Sequence, residues 1–378
     1  MKTPSNYLTI RITLIFLIIA GSLNAQDINR IVKNDYSRSS DRKILHIPDI
    51  QGYETLKGDF HMHTVFSDGH VWPESRVMEA WREGLDVIAI TDHIEYRPHK
   101  DHIVSDHNSA YEVAREKALA QNIILLRGTE ITRDMPPGHF NALFIDDVNP
   151  IENEDPMKQL EEAARQGAFI LWNHPGWASQ QPDSTIWWDM HTEILDNGWM
   201  HGVEVSNSGE WYPIVLDWCR EKELTVFSNS DIHAAIDFDY DLSLANAHRP
   251  MTLVFAKDRS QTGVKEALFS RRTLGFFGNQ LVGPENLILD LFNASVIVNT
   301  PFMESERKGK KVKHIELENP TDLTFILVKD EENGKNKDLI ELNPHSEIII
   351  IIPANEDTAN YRLVNCWSGS NDHPVVRF

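Results

Sequence analysis

The sequence predicts an α/β fold: a βα barrel, or else an open parallel sheet, over residues 58–278, followed by a small all-β domain over 279–378. Three observations carry this. From Gly58 onward, apolar strand-like runs alternate with amphipathic helical stretches, the pattern of parallel strands with helices packed outside. Nearly every candidate metal ligand falls at the C-terminal end of one of those strands, which favours the barrel, because barrel enzymes gather catalytic groups there from separate strands. After Asn279 the helical stretches give way to short β-rich runs divided by polar turns.

Residues 1–25 read as an export signal. Lys2 and Arg11 supply the positive start, 14–20 (LIFLIIA) the apolar core, and 21–25 (GSLNA) a small-residue cleavage region. That core is short for a membrane span, so no stable membrane insertion is expected after cleavage. No Cys follows it, which argues against a lipoprotein. The mature chain is therefore expected in the periplasm or outside the cell. Residues 26–57 form a leader. Strands are expected at 59–63, 86–91, 123–130, 139–145, 168–174, 202–207 and 224–231, each an apolar run of strand length. Helices fall between most of them. One starts at Pro73, a favoured first helical position, and stops at Gly84; others cover 109–121, 156–166 and 212–223. Beyond 279, the runs 287–291, 295–299, 312–317, 323–328, 347–352 and 361–367, with a polar turn at 330–338, predict an antiparallel sandwich. The unbroken apolar stretch 348–352 marks a core strand.

Composition narrows the function. The chain of 378 residues is 41% hydrophobic and 25% charged, with a net charge of −21. A surface that binds nucleic acid or anionic membrane carries a basic stripe, so no nucleic-acid partner is expected. The two cysteines, Cys219 and Cys366, lie in different expected domains and read as free or buried thiols.

The chemistry begins at His61-Met62-His63. Side chains at i and i+2 of a strand point to the same side, so two imidazoles there can hold one metal ion. Alone, the pair is also what chance produces. Similar groups recur at Thr91-Asp92-His93, Gly128-Thr129-Glu130, Asn173-His174-Pro175 and Ser230-Asp231-Ile232-His233, and His139 opens the fourth strand. A single strand-end His is ordinarily a capped or surface residue; a series of them at corresponding ends of successive strands is a site. Mixed imidazole and carboxylate ligands suit Zn²⁺, Mn²⁺ or Fe²⁺.

At this point the sequence resembles the PHP family (polymerase and histidinol phosphatase), within the wider amidohydrolase-like metal hydrolases. The matching pieces are HMHTVFSDG, ITDH, GTE, the His of GHFNALFI, NHP and NSDIH, in the family's order between Gly58 and His248. The resemblance implies a distorted (β/α)7 barrel with a site for two to three divalent ions (Zn, Mn or Fe). Carried over by position, it implies that His61, His63, Glu130 and Asp231 hold one ion. Glu130 would bridge to a second held by His139 and His174, and Asp68, His93 and His233 would hold a third, with His70 as the alternative to Asp68. It implies a phosphoesterase acting on a small-molecule phosphate monoester or diester. Asp231, Glu130 and His233 would carry the chemistry, and a hydroxide bridging the ions would be the nucleophile.

Other residues keep two readings. Arg133, three residues past Glu130, is the candidate contact to a substrate phosphate, or a surface Arg. Glu204, in a buried-looking strand, needs a partner and reads as a structural ion pair or a functional contact. Asp59 and Asp92 are positioned to accept hydrogen bonds from metal-bound histidines. The tryptophans from Trp172 to Trp218 read as a satellite core under a long loop, or as an aromatic wall for substrate. Alternative functions are hydrolysis of a non-phosphorus ester or amide bond and non-catalytic metal binding. Export favours releasing phosphate from external substrates.

Overall fold

The protein is described by a computed structural model covering residues 41–242, 247–329, 339–355 and 358–378. The expected signal segment at 1–25, the first part of the leader and the turn at 330–338 lie outside the described residues. In chain order the first domain comprises β1 (Glu54–Asp59), α1 (Pro73–Arg82), β2 (Val87–Ile90), α2 (Ser109–Ala120), β3 (Ile124–Ile131), β4 (Phe140–Leu143), α3 (Pro156–Arg165), β5 (Phe169–Trp172) and α4 (Asp189–Asp196). It continues through β6 (Gly202–Asn207), β7 (Glu210–Trp211), α5 (Pro213–Glu221), β8 (Thr225–Asn229), α6 (Ile236–Asp239), β9 (Met251–Ala256), α7 (Gln261–Phe269), β10 (Thr273–Phe277) and β11 (Gln280–Val282).

These strands form one curled sheet in the order β11-β10-β9-β1-β2-β3-β4-β5-β6, with β8 against the far side of β6. The result is a distorted barrel with a seam between β8 and the strands β9 and β1. Side chains stitch that seam where strand pairing lapses. Thr252 Oγ1 donates to Ser228 O at 2.9 Å and accepts from Ser228 N at 3.0 Å, and Asn229 Oδ1 accepts from Phe60 N at 3.0 Å. Beyond the strand ends, Met62 and Ile232 make an isolated parallel bridge.

The strands alternate between two packing layers, as a period of two requires. Val87 and Ala89 join the barrel interior with Leu56, Phe60, Leu126, Phe169, Leu171, Phe227 and Val254, while Ile88 and Ile90 face the helix layer with Val77, Ala80 and Ala114. Within the barrel, Phe227 packs edge-on to Phe60 at 5.4 Å between centroids and against Phe169 at 5.5 Å. This aromatic floor lies one residue from His61.

The structure departs from the sequence reading in four ways. The first strand is Glu54–Asp59, not 59–63, so His61 and His63 sit on extended chain beyond it. That chain is held by Thr91 N donating to Met62 O and His63 N donating to Ile232 O. Second, the sheet is mixed: β4 runs antiparallel to β3 and β5. The connection from β3 to β4 spans only residues 132–139, too short for the crossover that parallel pairing demands. Third, the sheet runs past seven strands through β9 to β11; the mostly apolar, fully buried run Met251–Ala256 was the signal for this. Fourth, 287–291 lies in a helix, α8 (Glu285–Ser295), opened by Pro284. Its buried Leu287, Ile288, Leu291 and Phe292 recur at helical spacing.

After α8 the chain builds two antiparallel sheets. One contains β12 (Ile297–Arg307), β13 (Lys310–Asn319) and β16 (Ser346–Pro353). The other contains β14 (Phe325–Lys329), β15 (Leu339–Leu342), β17 (Asn360–Leu363) and β19 (Val375–Arg377). The apolar run in β16 is a half-buried strand, with Ile350 and Ile352 buried and Ile349 54% exposed. The short strand β18 (Cys366–Trp367) leaves this domain to pair with β11 of the barrel sheet, so Asp41–Phe378 packs as one unit. Cys219 and Cys366 are both free and buried. Among the described residues no helix is long and apolar enough to cross a membrane.

Candidate metal centre

The extended chain after β1 alternates its side chains. His61 and His63 turn into the mouth of the barrel while Met62 turns into the helix-side core. The segment after β8 runs parallel to the chain of His61 and His63, bridged at Met62 and Ile232, and brings Asp231 and His233 to the same point. Asp231 has a left-handed backbone, φ 51°, and its N–H donates to His61 O at 2.9 Å. His174, at the end of β5, also has positive φ, 26°, and its N–H donates to Glu204 Oε2 at 2.7 Å. Non-glycine residues in this region are strained, and such strain persists where surrounding structure over-determines it, often at functional sites.

Three overlapping groups of ligand atoms result, each within 4.8 Å: His63, Asp68, His93 and His233; His61, Glu130 and His174; and His61, His63 and Asp231. His139 adjoins them through Glu130, its Nδ1 lying 2.8 Å from Oε1. The structure therefore brings together His61, His63, Asp68, His93, Glu130, His139, His174, Asp231 and His233. Asp68 stands in the cluster, with Oδ1 3.4 Å from His93 Nε2 and 3.3 Å from His233 Nε2, while His70 is exposed outside it.

The cluster fits cations. His63 Nε2 and Asp231 Oδ1 lie 3.0 Å apart, yet neither makes a hydrogen bond, and Asp68 Oδ1 is likewise buried without a partner. Buried polar atoms are normally satisfied. Several left open toward one point fit co-ligands of a shared centre better than partners of one another. The donor set of imidazoles and carboxylates is that of borderline and hard divalent ions.

Electrostatics keep the carboxylates ionised. Burial raises the Glu130 carboxyl, but His93, His61 and His139 outweigh it and hold it well below the usual range. Asp231 and Asp68 are lowered likewise against burial, Asp231 chiefly by His61 and His63, and Asp68 by His233 and His93. Burial, reinforced by His93 and His233, pushes His63 down to about 3, so its imidazole is neutral, the form that ligates. His93 goes the other way, to about 10, because Glu130 and Asp68 outweigh its burial.

The supporting residues were harder to read from sequence. Glu204 accepts from His61 Nδ1 at 2.9 Å, as well as from Asn207 and Asn229 at 2.8 and 2.9 Å. It therefore orients the ligand His61 from behind. Asp59 and Asp92 do not take the place expected of them. Asp92 binds the Thr64 N–H, the Thr64 hydroxyl and the Ser67 hydroxyl, each at 2.6 Å, and shapes the loop; only Ser67 reaches His63 Nδ1, at 3.4 Å. Asp59 holds Ser230 and the His61 N–H and pairs with Arg249. Both carboxylates serve main chain and hydroxyls because the ring nitrogens lie beyond their short reach.

Seven of the nine clustered residues line a cleft of about 720 Å³, with His61 and His63 buried behind them. Arg133, expected as a phosphate contact, does not line it. Its guanidinium is taken up by Glu95 at 3.0 Å and by Gln159 at 2.7 Å. The tryptophans divide. Trp172, Trp187 and Trp218 form a packed cluster with His191, Trp172 and Trp218 stacking at 5.8 Å, while Trp177 turns to the cleft beside His174 at 5.3 Å.

Comparison with known proteins agrees with this geometry. A PHP domain matches residues 59–195 and an Ig-like domain matches 297–378. A solved structure from Bacteroides vulgatus, described as a two-domain protein containing a predicted PHP-like metal-dependent phosphoesterase, is 43% identical. The match covers 90% of this chain and 99% of that one, with a TM-score of 0.84. An uncharacterized protein of Methanocaldococcus jannaschii is 27% identical over 194 residues, 48% of this chain and 84% of its own. The PHP match takes in seven of the nine clustered residues, from His61 to His174, and the chain belongs to the PHP family.

Proposed function

We propose that this protein is an exported phosphoesterase that hydrolyses a small-molecule phosphate monoester or diester with the help of two to three divalent ions, Zn, Mn or Fe. The observation that carries this reading is the set of buried, unpaired ligand atoms converging at the floor of an open cleft in a PHP domain. When bound, the ions supply charge neutralisation for the phosphate oxygens and lower the pKa of water so that it becomes a nucleophile near neutral pH.

The chain's own residues do the rest. Glu130 and Asp231, held ionised, each face more than one imidazole and tie the ligand groups together. Glu204 keeps the His61 Nδ1 proton, so that Nε2 faces the cluster. His233 gives its Nδ1 hydrogen to Asp231 O at 2.7 Å and keeps Nε2 toward Asp68; its side chain is 35% exposed, so it borders the space a substrate enters. The aromatic floor under His61 excludes water from behind the ligands. Net charge of −21 supports a small substrate over a polyanion. The positive start and apolar core of 1–25 support export.

The test is a panel of aryl phosphomonoesters and phosphodiesters, with a carboxylic ester and an amide alongside, assayed on protein reloaded with Zn²⁺, Mn²⁺ or Fe²⁺. Metal-dependent release of phosphate or of a phosphomonoester is expected. Turnover of only the carboxylic ester or amide would overturn the phosphoesterase reading, and no turnover with any ion would overturn the enzyme. N-terminal sequencing of the mature protein tests export, with a start near residue 26 expected.

A further inference from the structure

Beyond the ligands, the cleft wall is chemically one-sided. Tyr96 and Trp177, 54% and 37% exposed, present aromatic faces to it. Tyr96 adjoins His93 at 6.1 Å between centroids, and Trp177 adjoins His139 at 5.7 Å. The polar part of the wall is rich in acceptors. Glu210 is fixed by the Tyr212 hydroxyl, which donates to one carboxylate oxygen, and Asp239 stands nearby in the same lining. Gln180 donates through Nε2 to Arg133 O at 3.1 Å, and its buried Oε1 has no hydrogen-bond partner. Among the described residues lining the cleft there is no Lys or Arg.

These features select a substrate. A second phosphate or a carboxylate placed away from the ligand cluster would be desolvated against Glu210 and Asp239 with no Lys or Arg to meet it, which is a repulsive device against such ligands. A hydroxylated ring meets each feature. Its C–H face covers the indole of Trp177, and its hydroxyls donate to Glu210 and Asp239. Such sites join an apolar or aromatic wall to a few placed polar groups.

Resting on the phosphoesterase reading above, we propose that the substrate is a sugar phosphate carrying a single phosphate group. Trp177 is the platform for the ring, and Glu210 and Asp239 accept its hydroxyls.

The experiment compares kcat/KM of the metal-loaded, full-length protein on a hexose 6-phosphate, the hexose 1,6-bisphosphate, ethanolamine phosphate and p-nitrophenyl phosphate. Calorimetric binding of a non-hydrolysable hexose phosphonate is measured alongside. The hexose monophosphate is expected to exceed the bisphosphate and ethanolamine phosphate by roughly 10-fold or more, the scale set by a few hydrogen bonds and one apolar contact. Trp177→Ala should raise KM for the hexose ester about 10-fold, acting far less on kcat, and weaken phosphonate binding in proportion. Glu210→Gln should narrow the gap between monophosphate and bisphosphate. Hydrolysis of p-nitrophenyl phosphate without preference for the hexose ester, or a preference for ethanolamine phosphate, would overturn the sugar assignment and leave the phosphoesterase standing. If no ester is hydrolysed, the phosphoesterase reading falls. The calorimetric arm then decides the ring site alone: phosphonate binding that Trp177→Ala abolishes supports it, and no binding overturns it.

Discussion

Oε1 of Glu204 lies 2.9 Å from Nδ1 of His61, and both side chains are fully buried. The same carboxylate also accepts from the His174 N–H and from the side-chain amides of Asn207 and Asn229. Every group around it is a donor. Glu204→Gln would turn an NH₂ toward one of those donors and loosen His61. Metal affinity is expected to fall roughly 10- to 100-fold, the usual cost of losing a partner behind a metal-bound His, with the far-ultraviolet circular dichroism unchanged. Calorimetric titration of divalent ions into metal-free protein reads the effect. Unaltered affinity would show that His61 is held by packing alone.

Asp231 contacts His61 and His63 at 3.1 and 3.0 Å from a left-handed backbone. Asp231→Ala removes a shared ligand without opening the core. Elemental analysis is expected to give two to three divalent ions in the native protein and fewer in the variant, with activity down by more than about 100-fold, since residues acting as one unit are lost together. A His61→Ala variant should behave alike. Native-like turnover in either, or full activity in metal-free protein, would contradict the centre.

Arg249 is fully buried between two carboxylates, 2.9 Å from Asp59 and 2.6 Å from Glu83. Asp59 in turn holds Ser230, next to Asp231. Arg249→Met leaves both acids buried and unpaired, which costs about 3–5 kcal/mol. The shift in the urea midpoint measures it. A loss of activity larger than the unfolded fraction explains would show the disturbance reaching Asp231 through Asp59.

His191 stacks on Trp172 at 3.8 Å, and burial lowers it from its ordinary 6.5 to about 4. Its folded pKa lies below its unfolded one, so between these values the unfolded chain binds a proton that the native state does not. Its contribution is therefore present above pH 6.5 and is lost as pH falls toward 4. Half-buried His201 and His248, also lowered to about 4 by burial, act in the same direction. His191→Phe keeps a ring on Trp172. It is expected to flatten the slope of unfolding free energy against pH in this window by up to about 1.4 kcal/mol per pH unit, one proton's worth. An unchanged slope would mean that His191 is protonated in the native state.

The clustered His, Asp and Glu residues were legible in the sequence because metal chemistry restricts candidate ligands to few residue types and because most of them lie at or near the end of a strand. Thus His61, His93, Glu130, His174 and Asp231 could be named from local pattern, and the barrel from βα alternation. The direction of β4 and the sheet beyond β8 depend on which strands meet, and strand pairing is non-local. The helix at Glu285–Ser295 was mistaken for a strand because a short apolar run fits either period. The supporting shell was hidden for a deeper reason. Glu204 is separated from His61 by 143 positions and Asp59 from Ser230 by 171, and only closure of the barrel puts those carboxylates beside their donors. An Arg at position 133 looks like a phosphate contact until Glu95 and Gln159 are found around it. The sequence by itself determined which atoms could bind metal. Tertiary structure decided which carboxylates orient them and what the cleft wall offers a substrate, because hydrogen-bond partners a hundred residues apart leave no local pattern in the chain.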